Sequence, residues 1–203
     1  MLVYIEYISR QSGVDLAEFH YAAGLQDTWT EDHGEDVLLL NMGRTFRTGP
    51  DPWYLAVWYT PDGGLERIGD WERTFDAHEA DALEIPFKLG AQIDKAGCYE
   101  PLLEPVVLRN GLYYAEYFDF SAGATRDDVR TYFEERRSRR EGIELGLVCD
   151  RIGHLGPDPR GIAVWNAGDW DNLDGIVRDL DGVEEPVRLV TAGLYRDLGR
   201  ETL

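Results

Sequence analysis

Positive charge is scarce in this chain: 20 Lys and Arg face 39 Asp and Glu, a formal charge of −19 over 203 residues. So few cations cannot release counterions from a nucleic acid or hold an anionic membrane, and neither partner is expected. Long apolar runs are missing as well. No stretch of about 18 apolar residues is present to span a bilayer. The opening Met1-Leu2-Val3-Tyr4-Ile5-Glu6 has no basic segment of the kind that leads a secretory signal, so a cytoplasmic protein is expected. Cysteine is limited to Cys98 and Cys149, outside any CxxC or Cys/His ligand spacing, which argues against a disulfide framework and a structural zinc site and for reduced thiols. No metal site is expected, because no two-His-one-carboxylate set is spaced to form one. The GxGxxG, P-loop, GxSxG and HExxH patterns are absent, and Asp62-Gly63-Gly64 is too short to cradle phosphate. What the chain does have is apolar mass, 43% hydrophobic and 12% aromatic residues, enough to bury a compact core and to exclude general disorder.

It also has an internal repeat. Leu2-Val3-Tyr4-Ile5-Glu6-Tyr7 recurs as Leu112-Tyr113-Tyr114-Ala115-Glu116-Tyr117, with four of six positions identical at an offset of 110. Gly49-Pro50-Asp51-Pro52-Trp53-Tyr54-Leu55-Ala56-Val57-Trp58 recurs as Gly156-Pro157-Asp158-Pro159-Arg160-Gly161-Ile162-Ala163-Val164-Trp165, with seven of ten identical at an offset of 107. Gly69-Asp70-Trp71 matches Gly168-Asp169-Trp170, and Ala96-Gly97-Cys98-Tyr99 matches Ala192-Gly193-Leu194-Tyr195. Four collinear matches divide the chain into two units, 1–105 and 111–203, each near a common domain size.

Each unit carries the same signals in the same order. A strand rich in Tyr, Val and Ile is followed by Asp15 or Thr125 where an N-cap belongs, ahead of apolar residues at helical spacing. Second strands over Val37–Phe46 and Leu145–Ile152 close in the Gly-Pro-Asp-Pro turns, and return strands over Trp53–Tyr59 and Gly161–Asn166 complete hairpins. A second helical stretch and a last strand, around Lys95–Leu103 and Val190–Leu198, finish each unit. The order βαββ(α)β is a ferredoxin-like split βαβ. Helices on one face of such a sheet leave the other face to be buried against a second sheet, so an α+β protein of two tandem ferredoxin-like repeats forming an intrachain α/β barrel is predicted.

With this duplication and the loose pattern Leu16-Ala17-Glu18-Phe19-His20, the chain resembles the dimeric α/β-barrel superfamily, in a tandem form similar to NIPSNAP-like proteins. That resemblance implies a small-molecule substrate in the barrel, with isomerase, lyase, cyclase and cofactor-free monooxygenase all represented. It also includes haem-binding and non-catalytic barrels, so haem is the cofactor it admits, although none is required, and further pairing into a homodimer would fit it.

Candidate site residues follow from alternation along the first strands. With Val3 and Ile5 set against the helices, Tyr4 and Glu6 face the barrel interior, and Tyr114 and Glu116 do the same in the second unit. A carboxylate enclosed by aromatics is driven toward neutral pKa and suits acid–base chemistry on a hydrophobic, aromatic or polyketide-like substrate. The competing expectation is that Arg44 and Arg151, matched on the second strands, neutralise these carboxylates. His154, whose repeat partner is Arg47, and His20, whose counterpart is Arg130, are candidate proton shuttles or haem ligands, against the plainer roles of solvated loop residue and packed helix residue. Trp58 and Trp165 are expected either to roof a ligand cavity or simply to fill the barrel. His33 is expected at the surface, Pro61–Ile68 as a lid or an ordinary loop, and Glu79–Glu84 and Glu134–Arg140 as solvated helix faces.

Overall fold

The computed structural model describes residues 1–21, 37–45, 48–51, 53–77, 90–108, 111–139, 142–178 and 186–198. His33, Arg47 and the acidic run 79–84 lie outside them. The strands are β1 (Leu2–Arg10), β2 (Val37–Arg44), β3 (Tyr54–Thr60), β4 (Ala91–Pro101), β5 (Leu112–Phe120), β6 (Glu144–Arg151), β7 (Gly161–Asn166) and β8 (Val187–Asp197). The helices are α1 (Glu66–Ala77), α2 (Arg126–Ser138) and α3 (Trp170–Arg178), and residues 16–21 are helical too. Both crossover segments open on a capping box. Asp15 Oδ1 accepts from the Glu18 amide at 2.8 Å, and the Thr125 side chain and amide trade hydrogen bonds with Asp128. Pro61–Ile68 is a turn running into α1, tied at Gly63 O by the Met1 amino group at 3.0 Å.

All strand pairs are antiparallel, and the sheet closes on itself in the order β1-β3-β2-β8-β5-β7-β6-β4. The α+β expectation therefore holds, with eight strands in one closed sheet. Each half runs 4-1-3-2 by its own strands, and the second strand of each half pairs with the last strand of the other: Gly43 lies opposite Arg196, and Asp150 opposite Glu100. Closure removes every sheet edge.

An eight-stranded barrel is just wide enough for side chains to fill, and here they do. Val3, Ile5, Leu40, Met42, Leu55 and Val57 from the first half meet Ala115, Leu147, Cys149, Ile162 and Val164 from the second in one buried cluster. Five tyrosines lie among them, Tyr7, Tyr99, Tyr113, Tyr117 and Tyr195. Tyr7 and Tyr99 hydroxyls are 3.0 Å apart, and Tyr117 and Tyr195 hydroxyls 2.8 Å apart. Burial pushes the Tyr7 and Tyr117 hydroxyls well above their ordinary range, so they stay neutral, and it raises the Cys149 thiol, which makes that cysteine an inert core residue.

Here the structure corrects the assignment of faces. Tyr4, Glu6, Tyr114, Glu116, Trp58 and Trp165 point away from the barrel interior, toward the helix-covered layers, whereas Val3, Ile5, Tyr7 and Tyr117 point in. The tryptophans accordingly roof no cavity in the barrel. Because β1 and β5 are buried on both sides, alternation separates two sets of residues without saying which set is innermost. The fully enclosed interior takes the uncharged set, and the layer reached by helix side chains takes the carboxylates.

The repeated Gly-Pro-Asp-Pro and Ala-Gly-x-Tyr motifs turn out to be the seams of the barrel. The hairpin turn of each half crosses onto the last strand of the other: a Cβ on Gly49 would sit 2.7 Å from Gly193 Cα, and one on Gly156 3.0 Å from Gly97 Cα. Tyr99 and Tyr195 fold back over Gly97 and Gly193, where a Cβ would lie 2.6 and 2.8 Å from the ring. Arg44 donates to the Gly49 and Pro50 carbonyls, each at 3.0 Å, and pairs with Asp51; Arg151 donates to the Gly153 and Gly156 carbonyls and pairs with Asp158 at 2.8 Å. These two arginines hold the seams and do not neutralise Glu6 and Glu116. Gly49 also has φ +79, so Gly49→Ala combines left-handed strain with a backbone clash. Denaturant unfolding should show a loss on the order of 2 kcal/mol.

Candidate functional site

Glu6 and Glu116 occupy matched places in the middle of the first strand of each half. Glu6 is flanked across the sheet by Ala56 and Ala96, and Glu116 by Ala163 and Ala192. The small neighbours leave room for a carboxylate over the sheet, and both side chains are almost fully buried, at 4% and 2% exposure. A buried carboxylate must find a partner or lose its charge. The halves solve this differently.

In the second half the partner comes from α2. Val129, Phe133 and Arg136 recur at helical spacing on its buried face, and Arg136 reaches Glu116 with two hydrogen bonds of 2.7 and 2.8 Å. The guanidinium lies 4.9 Å from the Trp165 ring centroid and 5.3 Å from that of Tyr132, so the ion pair is walled by aromatics. Sequence reasoning missed Arg136 by placing the whole Glu134–Arg140 run in solvent. Its spacing of seven from Val129 was the available signal.

In the first half the Glu6 carboxylate accepts one hydrogen bond, from Trp58 Nε1 at 3.0 Å, and among the described residues no cation pairs with it. At the offset of 110 that relates Glu6 to Glu116, the sequence has Gln26, which lies outside the described residues, where the second half has Arg136. Desolvation raises the Glu6 carboxyl to about 7, with the Trp58 bond acting in the opposite direction. Glu6 is therefore divided between acid and base near neutral pH, the condition for proton transfer in either direction. Tyr4, opposite Trp58, stands half-buried beside it. Tyr114 holds the matching place opposite Trp165, and burial raises its hydroxyl.

His20 and His154 stand apart from this pair. His154 is exposed in the β6–β7 turn, and His20 lines an open surface cleft beside Tyr54. Among the described residues neither is enclosed, and the layer between the second-half sheet and α2 is packed with Phe118, Phe133, Trp165 and the ion pair. The histidines among the described residues do not fit an axial haem ligand. Among the described residues no cluster of three or more His, Cys, Asp or Glu is placed to hold a metal, and no helix is long and apolar enough to cross a membrane.

No protein-family model matches the chain, and no curated protein matches it. Solved structures do share its fold. A candidate chlorite dismutase aligns over 97% of this chain and 94% of its own, with a TM-score of 0.58 and 10% identity. A mutant chlorite dismutase from Candidatus Nitrospira defluvii, solved with cyanide, aligns over 97% and 91% with a TM-score of 0.58 and 8% identity. A candidate monooxygenase from Lactobacillus acidophilus aligns over 98% and 96% with a TM-score of 0.54 and 12% identity. At these identities the likeness is one of fold: the chain has the ferredoxin-like α/β architecture that chlorite dismutases and this monooxygenase candidate also use.

Proposed function

We propose that the protein is a small-molecule enzyme in which Glu6 moves a proton to and from a hydrophobic, aromatic or polyketide-like substrate. One observation carries the reading: two carboxylates in matched places, of which Glu116 is bound by Arg136 while Glu6 meets an indole N–H and titrates near 7. The two halves are read as copies of one unit, with the second keeping the structural version of the site and the first a reactive one. As a carboxylate, Glu6 accepts a proton from a substrate carbon next to a carbonyl; as a carboxylic acid hydrogen-bonded to Trp58, it returns that proton to the same or a neighbouring atom. Tyr4 lies beside this exchange, and the reaction class is proton transfer of the isomerase, lyase or cyclase kind. Fold relatives that include a monooxygenase candidate are consistent with a small-molecule enzyme.

Exchange of an acidic C–H into D2O tests the step without knowledge of the full reaction. Deoxybenzoin, followed by NMR, should exchange faster with the protein than without it, at a rate that rises with pH through about 7. Glu6→Gln should return it to background. Equal exchange by the wild type and Glu6→Gln would remove Glu6 from the chemistry. Addition of haem with no Soret shift at His20→Ala or His154→Ala relative to wild type is the expected companion result, since neither residue sits where an axial ligand belongs.

A further inference from the structure

The β2–β8 seam carries a cleft of about 690 Å³ whose lining includes Arg10, His20, Arg44, Trp53, Tyr54 and Arg196. Three arginines at one spot are unusual in a chain of charge −19, and the matched surface at the other seam shows what is missing there. At the β4–β6 seam Glu100 faces Asp150, and Arg126 pairs with both. Arg160 binds Asp150 with bonds of 2.6 and 2.8 Å and lies 3.8 Å from the Phe120 ring centroid, while Asp119 holds Arg188 at 2.6 Å. Every one of those acids is absent from the first seam. Gly43 stands in place of Asp150, Arg196 in place of Glu100 and Ser9 in place of Asp119, while Arg10 replaces Phe120 and Trp53 replaces Arg160.

The result is a concentration of cations in which, among the described residues, only Arg44 has an acidic partner, Asp51. Neither Arg10 nor Arg196 has an acidic partner among the described residues, and both are exposed. Arg44 is bound to the turn and to Asp51, with its side chain 6% exposed, yet its buried Nε has no hydrogen-bond partner. Trp53 is 41% exposed beneath the Arg44 guanidinium, which lies 4.7 Å from its ring centroid, and Tyr54 and Leu198 supply further apolar wall. The carboxylate in the lining, Asp197, accepts a hydrogen bond from Tyr113 at 3.1 Å. A cationic rim over an aromatic floor recognises a planar anion, with the guanidinium groups donating to its oxygens and the rings stacking on its body.

We propose that this cleft binds a small organic anion, a carboxylate carried on an aromatic body. The proposal stands independently of the chemistry at Glu6. Calorimetric titration of the full-length protein with benzoate at low salt tests it, with benzamide as the neutral isostere and inorganic phosphate as an anion without a ring. Benzoate should bind saturably and benzamide should not. Arg10→Gln and Arg196→Glu, both at exposed side chains and so expected to leave the thermal melt unchanged, should each weaken benzoate at least about tenfold. Benzoate that fails to bind, binds no better than benzamide, or is indifferent to both substitutions would overturn the site. Phosphate binding more tightly than benzoate would overturn the aromatic carboxylate as its ligand.

Discussion

Arg136→Met should destabilise the protein by about 3–5 kcal/mol, the characteristic cost of stranding one member of a buried ion pair. Glu116 is 2% exposed and receives both of its short hydrogen bonds from that guanidinium, so the variant leaves a carboxylate in an aromatic layer without a counter-charge. Replacing both partners, as in Glu116→Leu with Arg136→Met, should recover most of the loss, because two apolar side chains do not need each other's charge. Urea unfolding of the single and double variants measures both values. A single variant as stable as the wild type would show that the pair is not the structural anchor of the second half.

The first half should respond in the opposite sense. Glu6 has its folded-state pKa raised from 4.5 to about 7, so the folded protein holds this proton more tightly than the unfolded chain does. The stabilisation is fully present below about pH 4.5 and is lost as pH rises through about 7. That gap, at about 1.4 kcal/mol for each pH unit, amounts to about 3 kcal/mol. Glu6→Gln keeps an oxygen for Trp58 Nε1 and removes the charge. It should match the wild type near pH 4.5 and exceed it at pH 8 by up to about 3 kcal/mol. A stabilising substitution at a buried, repeat-matched residue is the pattern of a site kept for function at a cost in stability. Lower stability of Glu6→Gln at pH 8 would instead indicate a cation paired with Glu6.

Element order was readable because each half announces its parts locally. The Tyr-, Val- and Ile-rich openings, the caps at Asp15 and Thr125, and the Pro-bounded turns each act over a few residues. The helix after Asp15 and the strand Gly161–Asn166 fall where the pattern puts them. Orientation was not readable, since β1 is buried on both faces and Val3 against Glu6 says only that they differ. The repeated motifs were visible but their purpose was not. Gly49 meets Gly193, and Gly156 meets Gly97, across the whole chain, contacts that no local pattern encodes. Arg44 and Arg151 belong to those seams for the same reason. Arg136 was hidden by composition, because an Arg-rich run looks solvated until the helix phase set by Val129 and Phe133 is followed through it. The contrast between Glu6 and Glu116 needed both kinds of information: the repeat to match them, and the packing to show that Glu116 meets a guanidinium while, among the described residues, Glu6 meets none.

The most direct test of that contrast is a 13C NMR titration of the glutamate side-chain carboxyls, with Glu6→Gln used for assignment. The account predicts a Glu6 carboxyl signal that titrates at about pH 7 and vanishes in the variant. A Glu6 signal that titrates in the ordinary glutamate range near 4.3 would contradict it, and would remove Glu6 as a group poised to move a proton at neutral pH.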